Sequence, residues 1–69
     1  MDYDDLNKRF TYHPPTGTQP DRYVAIRATA LDLAHKILNF TPEGREQSLA
    51  ITKLEEAVMW ANSAIARET

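Results

Sequence analysis

Cysteine is absent from this chain of 69 residues, so neither a disulfide nor a thiolate-bound metal can stabilise its fold. Basic residues are not in excess either: 8 Lys and Arg are set against 10 Asp and Glu, which disfavours a general nucleic-acid or anionic-membrane surface. No apolar run is long enough to span a bilayer, and the acidic start of the chain has the wrong sign for a secretory signal. The sequence therefore predicts one soluble cytosolic domain, 1–69.

Proline and acidic residues mark the boundaries of three helical segments in the chain. Asp4 or Asp5 is predicted to cap a short helix over 6–10, and the Pro-containing arm that follows completes segment 1–20. A middle helix is expected over 20–40, and a last helix over 42–67, with Thr41 as its N-cap. The predicted fold class is all-α, a short N-terminal helix plus a long antiparallel helical hairpin, assembled as a compact homo-oligomer.

Apolar residues of the last helix form two faces rather than one. A stripe at helical spacing predicts the contact with the middle helix: Ile51, Leu54, Val58, Ala61 and Ile65. Leu49, Met59 and Trp60 lie off this stripe. Either the N-terminal helix folds back over Trp60, or another copy of the chain covers it. Because so short a chain buries little core by itself, self-association is favoured.

Arg27 is the most unusual residue of the middle helix. On a helical wheel it falls near the middle of an apolar arc, beside Val24, Ala30 and Leu31. A guanidinium in this position snorkels to water, pairs with an anion inside the protein, or receives an anion from outside. The sequence leaves these three alternatives open.

Catalytic and metal-binding patterns are absent from the sequence. His13 and His35 are isolated, and Ser48 and Ser63 lie in a predicted helix without a nucleophile elbow. Glu55 and Glu56 are adjacent and point about 100° apart, so they form no carboxylate pair. We therefore expect no enzymatic activity, no catalytic residue, no metal and no cofactor.

Tyr12 is a candidate for binding a ligand and not for catalysis. It precedes Pro14 and Pro15, which stiffen the arm, so presenting its ring to a ligand costs little entropy. An aromatic ring can stack on a nucleobase, and a guanidinium can bind a phosphate. The alternative is that the ring of Tyr12 packs against the hairpin.

Three segments together resemble one known family: Arg9 to Pro15 (RFTYHPP), Arg22 to Arg27 (RYVAIR) and Leu54 to Asn62 (LEEAVMWAN). The chain is similar, from about Leu6 to Arg67, to the small phage-encoded sponge proteins that defeat the bacterial cyclic-oligonucleotide-based antiphage signalling system. The hairpin module also resembles part of a related sponge family that acts on ADP-ribose-type signals.

This resemblance implies a helical homohexamer that binds cyclic dinucleotides between protomers and sequesters them without cleavage, in the cytoplasm of the infected bacterial host. It implies that Tyr12 stacks on a base, that Arg27 is the basic pocket residue (a lysine in some members), and that Thr29 contacts the ligand. Some members hold cyclic trinucleotides in separate pockets, and Arg67 matches that site.

Two functions of other classes remain as alternatives. One is a structural interaction module without a nucleotide ligand, in which Tyr12 and Arg27 are buried at a protein interface. The other is a small DNA-associated phage regulator, although the balanced charge disfavours binding to duplex nucleic acid.

Overall fold

A computed structural model of the protein describes residues 2–10 and 17–68. This part of the chain forms three helices, α1 (Tyr3–Phe10), α2 (Gln19–Phe40) and α3 (Arg45–Ala66), and contains no strand. None of these helices is long and apolar enough to cross a membrane. The protein is all-helical, with one short N-terminal helix and two long helices packed against each other.

α1 begins earlier than the sequence predicts. It starts at Tyr3 rather than at residue 6, and Asp4 and Asp5 lie in its first turn instead of capping it. The side chain of Asp2 takes the capping role, because its Oδ1 accepts a hydrogen bond of 2.8 Å from the backbone N–H of Asp5. This bond satisfies one of the N–H groups that the first turn of a helix leaves unpaired.

Thr41 ends α2 and does not begin α3, so the predicted N-cap is wrong. Its backbone N–H and its hydroxyl both donate to the carbonyl of Ile37, at 3.2 and 2.5 Å. Pro42 favours an extended conformation in the residue before it, and Thr41 adopts one with φ −126° and ψ 152°. The chain therefore leaves the helical path at Thr41, and α3 starts only after Gly44.

Hydrogen bonds at both ends set the alignment of the antiparallel pair. The side-chain amide of Gln19 donates to the carbonyl of Ile65 at 2.8 Å, and that of Gln47 donates to Leu38 and Thr41 carbonyls at 3.4 and 3.2 Å. Because the two helices are antiparallel, a residue later in α2 lies beside a residue earlier in α3. In this alignment Arg27 lies level with about residue 57 or 58 of α3.

The apolar stripe of α3 faces α2, as predicted. Ile65 is buried, and the other stripe residues are partly buried: Ile51, Leu54, Val58 and Ala61. Gln19 is the only other described residue that is buried. The contact between the two long helices is thus one seam of side chains, and it encloses almost no core.

The second apolar face is exposed. Trp60 is 60% exposed and Met59 is 53% exposed, and α1 does not pack against either long helix within the described residues. The described part of the N-terminal helix therefore does not cover Trp60. The chain is only 12 Å thick along its shortest axis, about the diameter of one helix.

Two grooves on the helical hairpin

Two grooves follow the seam between α2 and α3, one on each side of this layer of helices. Both are lined by Ala30, Leu54 and Val58, which form the seam itself. Successive residues of a helix point about 100° apart, so neighbouring positions on α2 contribute to different grooves. The small side chain of Ala30 leaves room on both sides.

The first groove, which we call the Arg27 groove, has a volume of about 350 Å³. Its lining beyond the seam consists of Arg27, Leu31, Ala34, Ile51 and Glu55. Arg27 is exposed, and it makes no hydrogen bond or ion pair to any residue that the structure describes. The described part of the protein therefore supplies no internal anion for Arg27, which leaves water or an external anion as its partner.

Glu55 is the residue of this groove that sequence reasoning missed. The sequence pattern relates Glu55 only to its neighbour Glu56, whereas the relation of Glu55 to Arg27 depends on the alignment of the two helices. Glu55 lies on α3 about three residues from the level of Arg27, a distance of about 4 Å along the helix axis. The helix-end hydrogen bonds that set this alignment are not visible as a local pattern, so the sequence offered no direct signal.

The second groove, which we call the Thr29 groove, has a volume of about 450 Å³ and lies on the opposite side of the seam. Its lining beyond the seam is Ala25, Ile26, Thr29, Leu33, Ala57 and Ala61. Thr29 is exposed and is the only polar side chain in that lining. Four alanines in all line this groove, so a flat ring or the ridge of another helix can approach its floor closely.

Arg67, the other predicted site residue that the structure describes, does not line either groove. Arg67 is exposed and caps the C-terminal end of α3, where its backbone N–H donates to the carbonyl of Ser63 at 3.1 Å. It lies about ten residues, or roughly 14 Å, from the level of Arg27 along α3. Tyr12 and His13 lie outside the described residues. His35 is exposed on α2.

An ion pair closes the end of the hairpin near Arg67. The guanidinium of Arg22 donates to both carboxylate oxygens of Glu68, at 2.8 and 3.0 Å. This hydrogen-bonded pair lowers the pKa of Glu68 and raises the pKa of Arg22. Nearby, Nε of Arg22 and Oδ1 of Asn62 are buried polar atoms that find no hydrogen-bond partner among the described residues. The pair holds the last described residue of the chain against the start of α2.

A family model, described as the hairpin domain of the Acb2/Tad1 family, matches residues 2–66. No curated protein and no solved structure gives a significant match to the chain. The matched region includes all three helices and both grooves. It confirms the resemblance to the phage sponge proteins that the arm and the two long helices suggested. The chain belongs to the Acb2/Tad1 hairpin-domain family.

Proposed function

We propose that this protein is a sponge for cyclic oligonucleotides in the cytoplasm of an infected bacterium. It binds cyclic dinucleotides, and cyclic trinucleotides at separate sites, and withholds them from the host's antiphage effectors without cleaving them. Family membership supports a phage protein that binds nucleotide signals. The observation that carries the proposal further is the guanidinium of Arg27, which has no partner among the described residues and lies in an otherwise mostly apolar groove.

The chemistry of the Arg27 groove suits a cyclic dinucleotide. Such a ligand carries two phosphate charges and two bases, so it needs both cations and apolar surfaces. Arg27 can bind a phosphate through two parallel hydrogen bonds, while Leu31, Ala34 and Ile51 offer an apolar wall to a base or sugar. The groove volume of about 350 Å³ is at the lower end for a small-molecule site, and in this proposal a neighbouring subunit completes it.

That neighbouring subunit is another copy of the chain, and we propose a homohexamer. A compact monomer of this mass exposes about 4,400 Å² of surface, whereas this chain exposes 5827 Å². Its radius of gyration is 15.4 Å, against about 11 Å for a compact chain of this length. Trp60, Met59 and Leu33 belong to the excess apolar surface that an assembly buries.

Three further residues complete the proposed sites. Tyr12 supplies a stacking ring from its arm, and it meets Arg27 of a neighbouring protomer across the ligand. Thr29 contributes a hydroxyl to the same ligand. Arg67, exposed at the end of α3, supplies charge to the separate trinucleotide site.

Calorimetry against a panel of cyclic di- and trinucleotides tests this proposal. We expect tight binding of at least one cyclic dinucleotide, with the ligand recovered intact by chromatography after heat denaturation of the protein. We expect intact recovery because the described lining of the Arg27 groove holds one carboxylate, Glu55, and no second acid, base or nucleophile to act with it on a phosphodiester. Accumulation of linear product would show that the protein is a phosphodiesterase and not a sponge. If no cyclic nucleotide of the panel binds, both the sponge and the phosphodiesterase are excluded.

A further inference from the structure

Glu55 places a carboxylate in the same groove as Arg27, although the proposed ligand is an anion. Both side chains are exposed, and neither forms a hydrogen bond or ion pair within the described residues. Glu56, the next residue along α3, instead pairs with Lys53 at 3.5 Å. Glu55 and Arg27 are therefore two opposite charges, one from each helix, that are available to a ligand.

Closing the groove changes the energetics of both charges. In the single chain, water solvates Arg27 and Glu55, so leaving them unpaired costs little. Once a ligand and a second subunit cover the groove, each charge loses water and needs a hydrogen-bonding partner. A phosphate satisfies Arg27, but a carboxylate accepts hydrogen bonds only and needs a donor on the ligand.

Among the common nucleobases, guanine meets this requirement best. Its Watson–Crick edge places the N1–H and the N2 amino group side by side, so it gives one carboxylate two parallel hydrogen bonds. Adenine and cytosine offer one amino group each, next to a ring nitrogen that repels a carboxylate. Uracil offers one N–H between two carbonyl oxygens, which repel it as well.

We propose that Glu55 makes the Arg27 groove selective for guanine-containing cyclic dinucleotides, with the carboxylate accepting from N1–H and N2–H of the base while Arg27 binds the phosphate. This inference rests on the proposed function, because it assigns the base preference of the same site. Glu55 is a specificity residue in this arrangement. Its negative charge weakens the binding of any cyclic dinucleotide that cannot donate to it.

Cyclic di-GMP and cyclic di-IMP give the sharpest test, because hypoxanthine differs from guanine only by the missing 2-amino group. Calorimetry should show that the wild-type oligomer binds cyclic di-GMP at least about tenfold more tightly than cyclic di-IMP. In Glu55→Ala this ratio should fall to about two or less. Glu55→Gln, which keeps the shape and removes the charge, should bind cyclic di-GMP more weakly and cyclic di-AMP at least as well as the wild type does.

Glu56→Gln is the matched control, since it removes a carboxylate from the adjacent position outside this groove. It should keep the wild-type ratio, and light scattering should show that every variant remains assembled. A wild-type ratio near one would overturn the role of Glu55 even if no variant folds, and so would equal ratios in wild type and Glu55→Ala. If no cyclic dinucleotide binds to the wild type, the proposed function fails, and this inference fails with it.

Discussion

Arg27 and Thr29 lie on the same helix but open into different grooves on opposite sides of the hairpin. The two positions are about 200° apart around α2, and the seam of Ala30, Leu54 and Val58 separates the grooves. One small ligand cannot lie in both grooves of one chain, because the packed helices stand between them. If both residues bind the same cyclic dinucleotide, they come from different protomers.

Mixing two defective variants tests this geometry. Arg27→Ala and Thr29→Ala oligomers should each bind cyclic dinucleotide weakly, since each lacks one half of every site. In mixed oligomers, about one pairing in four combines an intact Arg27 with an intact Thr29 from the other protomer. We therefore expect high-affinity sites to reappear after co-expression and purification through two different tags, with calorimetry giving their number.

Oligomers mixed from two differently tagged Arg27→Ala chains are the control, and they should recover no tight site. If the mixed Arg27→Ala and Thr29→Ala oligomers also recover none, the two residues do not complete one site across a subunit boundary.

Single substitutions at the proposed contacts should distinguish the contribution of charge to the binding affinity from that of base stacking. Arg27→Ala should weaken cyclic dinucleotide binding about ten- to hundredfold, because a hydrogen-bonded charge contributes roughly 1.5–3 kcal/mol. Arg27→Lys should lose less, since it keeps the charge and gives up only the two-pronged geometry. Tyr12→Ala should lose roughly 1–3 kcal/mol of base stacking.

Salt dependence provides the second readout for these variants. Calorimetry at several salt concentrations should show a shallower dependence for Arg27→Ala than for Tyr12→Ala, because only the former removes a contact to phosphate. Wild-type affinity in both variants, with the oligomer still assembled, would contradict the assignment of the site.

The sequence predicted the helices well where the pattern is local. The prediction of a helix boundary failed where one residue could belong to the end of one helix or to the start of the next. The period of the apolar residues in α3 correctly identified the stripe from Ile51 to Ile65 that faces α2. Thr41 followed by Pro42 resembles a helix start, yet the end of α2 already uses the backbone and hydroxyl of Thr41. No local pattern shows whether Thr41 ends α2 or begins α3.

The candidate site was predictable in part. Arg27 is unusual within its own helix, so the wheel alone singles it out, and the structure finds it exposed in a groove. Glu55 becomes relevant only when the alignment of α2 and α3 is known, which depends on side-chain bonds such as Gln19 to Ile65. The role of Tyr12 stays a prediction.

The ion pair between Arg22 and Glu68 should make the hairpin slightly less stable in acid. Hydrogen bonding to Arg22 lowers the pKa of Glu68 in the folded chain, so its stabilisation is present above the unfolded pKa. This contribution is lost as the pH falls through the lowered folded pKa. Glu68→Gln should therefore lower the melting temperature by a small amount at pH 7 and leave it unchanged in strong acid.

Circular dichroism melting curves at both pH values measure this difference. Glu43→Gln removes an exposed carboxylate from the loop between α2 and α3, where Glu43 forms no ion pair among the described residues. It should show no such pH-dependent difference from the wild type. Because both partners of the Arg22 pair are partly exposed, 1 M salt should also reduce the effect of Glu68→Gln.

Assembly should determine the stability of the whole protein. In this hairpin with one seam, Gln19 and Ile65 are the only buried residues among those described, so we expect one chain to have too little core to remain folded alone. Binding between folded copies stabilises them by mass action, so the melting temperature should rise with protein concentration. Light scattering during size-exclusion chromatography should find several protomers per particle at micromolar concentration, most consistent with six.

Leu33→Glu, which places a charge in the exposed apolar Thr29 groove, should lower both the particle mass and the melting temperature, whereas Glu43→Gln should change neither. A folded wild-type monomer whose melting temperature is independent of concentration would contradict the proposed hexamer and every site that needs a second subunit.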